Sequence, residues 1–101
     1  SNINYNKLNN NYLLNGLDIL GWLNREYKKT DLRSINIQEH FINVDLVDTK
    51  LTFDHENIDN QLAKLSIILN DKSLLDSLKI TSISDLAEIK LSYENQIIIK
   101  K

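Results

Sequence analysis

Cysteine, proline and methionine are absent from this chain of 101 residues, and glycine occurs twice. The lack of cysteine removes disulfides, thiol nucleophiles and thiolate metal sites from consideration. The two glycines, Gly16 and Gly21, fall inside one helical pattern, so no glycine-rich loop is available to cradle a phosphate. Long apolar runs are missing as well. The longest are three residues, as at Ile67-Ile68-Leu69, against the roughly 20 that a membrane-spanning helix needs. Neither sign of charge dominates: 14 acidic and 12 basic residues give a net charge of −2, with no basic block. Nucleic-acid binding normally leaves a clustered Lys/Arg footprint, and this chain has none.

What is present describes one soluble globular unit. Hydrophobic residues make up 42% and charged residues 26%, ordinary values for a packed domain of this length. Residues 1–9 read as a flexible polar tail, with Ser1-Asn2 a cloning remnant, and residues 10–101 as a single α+β domain. No signal peptide is legible in the Asn-rich start.

From an N-cap at Asn10 or Asn11 the pattern becomes helical. Leu13, Leu17, Leu20, Leu23 and Tyr27 form the main apolar stripe. Tyr12, Ile19 and Trp22 form a second, narrower one. Trp22 packs either against the N-terminal segment or sheet end, or against a neighbouring domain. The glycines are tolerable where another element passes close by, and Lys28-Lys29 suit a helix C-terminus.

Three strand-like runs follow. Ile35 and Ile37, then Ile42, Val44 and Leu46, then Leu51 and Phe53 alternate with polar residues, the period of a sheet covered on one face. Val47-Asp48-Thr49-Lys50 reads as a hairpin connection. A second helix carries Ile58, Leu62, Leu65 and Leu69 on its buried stripe, with Asn57 or Asp59 as cap. Leu74, Leu75, Leu78 and Ile80 suggest a further helical turn or two. The expected fold is α+β: a mostly antiparallel sheet, two main helices on one face, and a C-terminal β-hairpin.

That hairpin spans Glu88 to Lys101. Ile89, Leu91 and Tyr93 alternate with Lys90 and Ser92, Glu94-Asn95 offers a tight reversal, and Gln96 to Ile99 forms a second β-prone run. Three consecutive isoleucines, Ile97 to Ile99, make that run apolar on both faces, which an uncovered edge would avoid. The two readings are a closed rim and a strand that accepts a partner strand.

Chemistry-bearing clusters are sparse. Asp54, His55 and Glu56 crowd one connection, near Asp45 and Asp48, with His40 upstream. This is the one candidate for a metal-binding or enzymatic site, but no calcium-loop motif and no helical histidine pair accompanies it. No serine sits in a nucleophile elbow. The expectation is a non-enzyme with no cofactor and no metal site.

The order of elements resembles a known family. From about Tyr12 to Lys101, the helix, the strand Arg33 to Gln38, the hairpin Ile42 to Phe53, the helix Asn57 to Leu69 and the strand pair Ile89 to Lys100 are similar to the C-terminal β domain of the bacterial cell-division protein FtsQ, called DivIB in Gram-positive bacteria. The resemblance implies a non-enzymatic scaffold of the division complex on the outer face of the cytoplasmic membrane. Its anchor would lie in a segment outside this sequence. It further implies partners of the FtsB and FtsL type, with FtsB adding a strand to the last strand. The partner-binding residues so implied are Tyr93, Gln96, Ile97, Ile98, Ile99 and Lys100, with Ile98 the outward apolar contact and Lys100 a rim charge. The alternatives are the Asp54/His55/Glu56 site and a soluble adaptor or inhibitor with the same layout.

Overall fold

The computed structural model describes residues 2–5, 10–27, 32–94 and 96–101. Its elements run β1 (Asn2–Tyr5), α1 (Asn10–Glu26), β2 (Leu32–Ile37), β3 (Phe41–Leu46), β4 (Lys50–Asp54), α2 (Ile58–Asn70), α3 (Lys72–Ser77), a 3-10 turn at Ile83–Asp85, β5 (Glu88–Lys90) and β6 (Ile98–Lys100). The fold is α+β. All six strands form one sheet in the order β1-β2-β3-β4-β5-β6. Pairing is antiparallel for β2/β3, β3/β4 and β5/β6, and parallel for β1/β2 and β4/β5.

The two parallel pairs explain where the helices lie. β1, β2, β4 and β5 point the same way, and α1 and α2 each belong to a connection that advances one place along the sheet. Right-handed crossovers displaced in the same direction put both connections on the same face. α1 and α2 accordingly pack on each other, α1 on β2 and α2 on β4. The inward positions of the strands, Ile35, Ile37, Ile42, Val44, Leu46, Leu51, Phe53 and Ile89, are all buried under them.

The inward positions of the three central strands follow the expected alternation, and α2 buries the expected Ile58, Leu62 and Leu65. Its stripe is centred toward Gln61 and Ile68, expected at the margin and in fact buried, while Leu69 is half-buried. α1 differs. Its buried positions are Gly16, Ile19 and Leu23, while Leu17 is 45% exposed. The inward face therefore joins Ile19 of the narrower stripe to Leu23 of the main one, with Gly16 letting the helix approach Ile37 closely. Trp22 is half-buried and packs against the core.

Asn2–Tyr5, expected as part of a polar tail, pair with β2 as a strand, with Ile3 in register with Ile35. The expected basic C-terminus of α1, Lys28-Lys29, lies outside the described residues, as does Asn95 of the expected turn. The terminal hairpin is present in shorter form. β5 stops at Lys90 and β6 starts at Ile98, with Ile89 opposite Ile99.

Two local devices close the stretch between α2 and β5. At the end of α3, the Ile80 amide donates to Leu75 O at 3.1 Å and the Lys79 amide to Asp76 O at 3.0 Å, the paired bonds of a Schellman ending. Lys79 occupies its left-handed position at φ 61°, which costs any residue with a Cβ about 1 kcal/mol or more. Lys79→Gly is expected to raise the unfolding free energy by about 0.5–1 kcal/mol in a urea titration.

The 3-10 turn has reciprocal caps. Ser82 Oγ accepts from the Ser84 amide, while Asp85 Oδ2 accepts from the amides of Thr81 (3.0 Å) and Ser82 (3.4 Å) and from Thr81 Oγ1 (3.1 Å). The Thr81 and Ser82 backbone amides, and then the Thr81 hydroxyl, hold the Asp85 carboxyl below its usual value of 3.8. A carboxylate depressed in the folded state contributes stability that is present above its unfolded pKa and is lost as pH falls through the folded one. Asp85→Asn is therefore expected to destabilise at neutral pH and to match the parent in strong acid. Denaturation midpoints compared across that range check this, and a difference independent of pH would reject it.

Candidate interaction edge at β6

β6 occupies one end of the sheet order, with β5 on one side and no described strand on the other. Its residues divide between the two faces by the strand period. Ile99, in register with the buried Ile89, lies on the helix-covered face and packs, with Ile97, against the core. Ile98, in register with Lys90, lies on the uncovered face, where it is half-buried. Lys100 is on the same face as Ile98. Its Nζ lies 3.5 Å from Glu88 Oε1, with the lysine side chain 60% exposed. Gln96 is exposed just before the strand. Tyr93, 47% exposed, lines a shallow recess of about 220 Å³ on the uncovered face together with Phe41, Asn43, Thr52 and Lys90.

The six sequence-selected residues thus fall in or beside one edge, in three different settings. Ile97 and Ile99 anchor it, Ile98 and Lys100 border the free side on the uncovered face, and Tyr93 and Gln96 flank the connection. Removing the whole strand would also remove core contacts, so single substitutions at Ile98 are the cleaner probe.

One lysine, which the sequence reading did not select, organises the connection that leads to β6. Lys64 stands on α2, and its Nζ donates to three carbonyls: Leu91 O at 2.7 Å, Tyr93 O at 2.6 Å and Gln96 O at 3.1 Å. An ammonium has three N–H donors, and all three are used. Burial pulls the Lys64 pKa below the usual lysine value, and the Asp54 carboxylate raises it part of the way back. The three carbonyls, at positions 91, 93 and 96, are thereby gathered at one point of the connection between β5 and β6. A lysine one turn after Gln61 and next to the buried Leu65 is the sequence signal it leaves.

The Asp54-His55-Glu56 connection is engaged in holding elements together. Gln61, buried on α2, accepts from the Asp54 amide at 2.9 Å and donates to Asp54 Oδ1 (2.9 Å), Asp54 O (3.2 Å) and Glu56 O (2.7 Å). Asp54 Oδ1 also accepts from the Glu56 amide. The His55 ring stacks on Tyr12 of α1, with centroids 4.0 Å apart. Asn15 Nδ2 reaches both His55 O (3.4 Å) and His55 Nδ1 (3.1 Å). That orientation makes Nδ1 an acceptor, and Nε2–H then donates to Gln38 O at 2.6 Å. One imidazole so ties α1, the β2–β3 turn and the start of α2, with both nitrogens occupied. Among the described residues, no three His, Asp or Glu side chains are grouped to hold a metal ion.

Compared with models of known protein families and with characterised proteins, the chain matches none of them.

Proposed function

We propose that this chain is a non-enzymatic protein–protein interaction domain that takes an extended partner segment by strand addition along β6. The observation that carries this reading is the place of Ile98–Lys100 at the end of the sheet order, with an apolar side chain, Ile98, on the uncovered face beside the free side. An edge strand leaves a row of N–H and C=O groups without a neighbour. A partner strand gains affinity from those groups and selectivity from alternate side chains. Lys64 supports the reading by fixing the connection before the edge, so less ordering is required on binding.

In its specific form the proposal is a division-complex scaffold on the outer face of the cytoplasmic membrane, anchored through a segment outside this sequence. The partner strand then comes from a protein of the FtsB type, with one of the FtsL type alongside. Its support is the order of elements from about Tyr12 to Lys101, with β6 last in that order.

The test is capture of a purified FtsB–FtsL-type complex by the parent chain and by Ile98→Lys. A charge in place of the edge isoleucine is expected to weaken capture about tenfold or more while melting stays cooperative. Equal capture by both would place the interaction elsewhere on the domain. Absence of capture by the parent chain would remove the division assignment.

A further inference from the structure

The chemistry of the segment that β6 accepts can be read from the rows that cross the sheet. On the uncovered face one row runs Ser34, Asp45, Lys50, Glu88, Lys100, each in register with the next. Its charges alternate: minus, plus, minus, plus. Asp45 has Lys50 on one side and accepts from Ser34 Oγ at 3.2 Å on the other. Lys50 stands between Asp45 and Glu88, and Glu88 between Lys50 and Lys100. Asp45 and Lys100 each have a counter-charge on one side only, but Asp45 has Ser34 on its other side, whereas the other side of Lys100 is the free edge.

The two neighbouring positions give the same kind of answer. The inner row Ile35, Val44, Leu51, Ile89, Ile99 is apolar throughout, yet Ile99 is only half-buried where Ile89 is fully buried. One more apolar side chain beyond it would continue the covered layer. The row ending Thr52, Lys90, Ile98 puts an isoleucine at the rim, where β-branched neighbours pack best across strands.

We infer that the occupant of the β6 edge is an extended segment with an acidic residue opposite Lys100 and two apolar, preferably β-branched, residues opposite Ile99 and Ile98. This rests on the strand-addition reading and names the partner's chemistry within it. A second copy of this chain fits worse. Antiparallel pairing centred on Ile99 sets each Lys100 against Ile98 of the other copy, and pairing centred on Lys100 sets lysine against lysine. Neither register supplies the acid.

The probes are three short synthetic peptides with cores Glu-Ile-Val, Gln-Ile-Val and Lys-Ile-Val, flanked by Thr and Ser. Each is titrated against the parent chain, Lys100→Glu and Ile98→Lys. Lys100 is exposed enough that reversing its charge should leave the fold intact. The parent is expected to bind the Glu peptide about two- to fivefold more tightly than the Gln peptide, with the Lys peptide weakest. Lys100→Glu should invert that order, and Ile98→Lys should weaken all three. Binding that depends on Ile98 but has the same order in the parent and Lys100→Glu would overturn the inference and leave strand addition standing. A parent dimer that Ile98→Lys dissolves would overturn it in favour of a second copy. Absence of any Ile98-dependent binding would remove both.

Discussion

Gly16→Val is expected to lower the unfolding free energy by about 2–3 kcal/mol, whereas Gly21→Ala should raise it by up to about 1 kcal/mol. The two glycines lie on one helix, so their opposite signs isolate what the sheet requires. A Cβ at Gly16 would sit 2.9 Å from Ile37 Cγ1, closer still to Ile37 Cδ1, and 3.6 Å from Ile35 Cδ1. Ile37 is 1% exposed and Ile35 fully buried, so neither isoleucine has open space to turn into. Valine adds two further methyls and loses rotamer freedom on a helix, which outweighs its better helix propensity. At Gly21 the added Cβ meets only Arg25 Nη1 at 3.5 Å, the far end of an exposed side chain. Urea denaturation of both variants measures this. An unchanged midpoint for Gly16→Val would mean that α1 does not bear on β2 through this face.

Gly16 also marks where the sequence is hardest to read. β2, β3 and β4 are legible because local spacing and burial coincide: Ile35/Ile37, Ile42/Val44/Leu46 and Leu51/Phe53 alternate in sequence and point inward in the sheet. On α1 the same spacing offers two stripes, and the leucine-rich one has more apolar surface. The face turned inward runs between them, through Gly16, Ile19 and Leu23, because it carries a glycine, and close approach is a property that hydrophobicity does not score. β1 has the alternation too, at Ile3 and Tyr5 between asparagines, but over four residues only. Its pairing is parallel and needs the whole of α1 between the strands, so nothing local announces it.

The candidate site divides in the same way. An apolar terminal run is visible in the sequence, and β6 falls where that run is. The contacts that shape its surroundings are not visible. Lys64 is 27 residues from Leu91 and 32 from Gln96, and His55 is 40 from Asn15. Each depends on two elements already being in place. Asp54, His55 and Glu56 look like ligands in a row because proximity in sequence is all that one dimension offers. In the fold the Asp54 carboxylate is turned to Gln61 and the His55 ring to Asn15 and Gln38, while Glu56 meets Gln61 through its backbone carbonyl.

Lys64→Met is expected to loosen the β6 edge without unfolding the domain. Methionine keeps most of the aliphatic stem, so the substitution removes the ammonium and little of the packing. Three hydrogen bonds from a charged donor are lost, each worth about 1.5–3 kcal/mol where the acceptor stays dry. The carbonyls of Tyr93 and Gln96 belong to exposed residues and regain water, and the desolvation that lowers the Lys64 pKa is relieved. The net local cost is then about 2–3 kcal/mol, or on the order of 30- to 150-fold faster amide exchange in residues 91–93 and 96–100. Amides of β2 and β3 should keep their protection, because Ile35, Val44 and Phe53 do not depend on the clamp. Lys64→Arg should recover part of it at most, since a planar guanidinium fork does not converge on three carbonyls as an ammonium does. Unchanged exchange at the edge, or equal acceleration in β3, would show that the clamp does not hold β6. If the edge does loosen, any partner of β6 must order it on binding, and its affinity for Lys64→Met should fall by a comparable factor even though Lys64 touches no part of β6 itself.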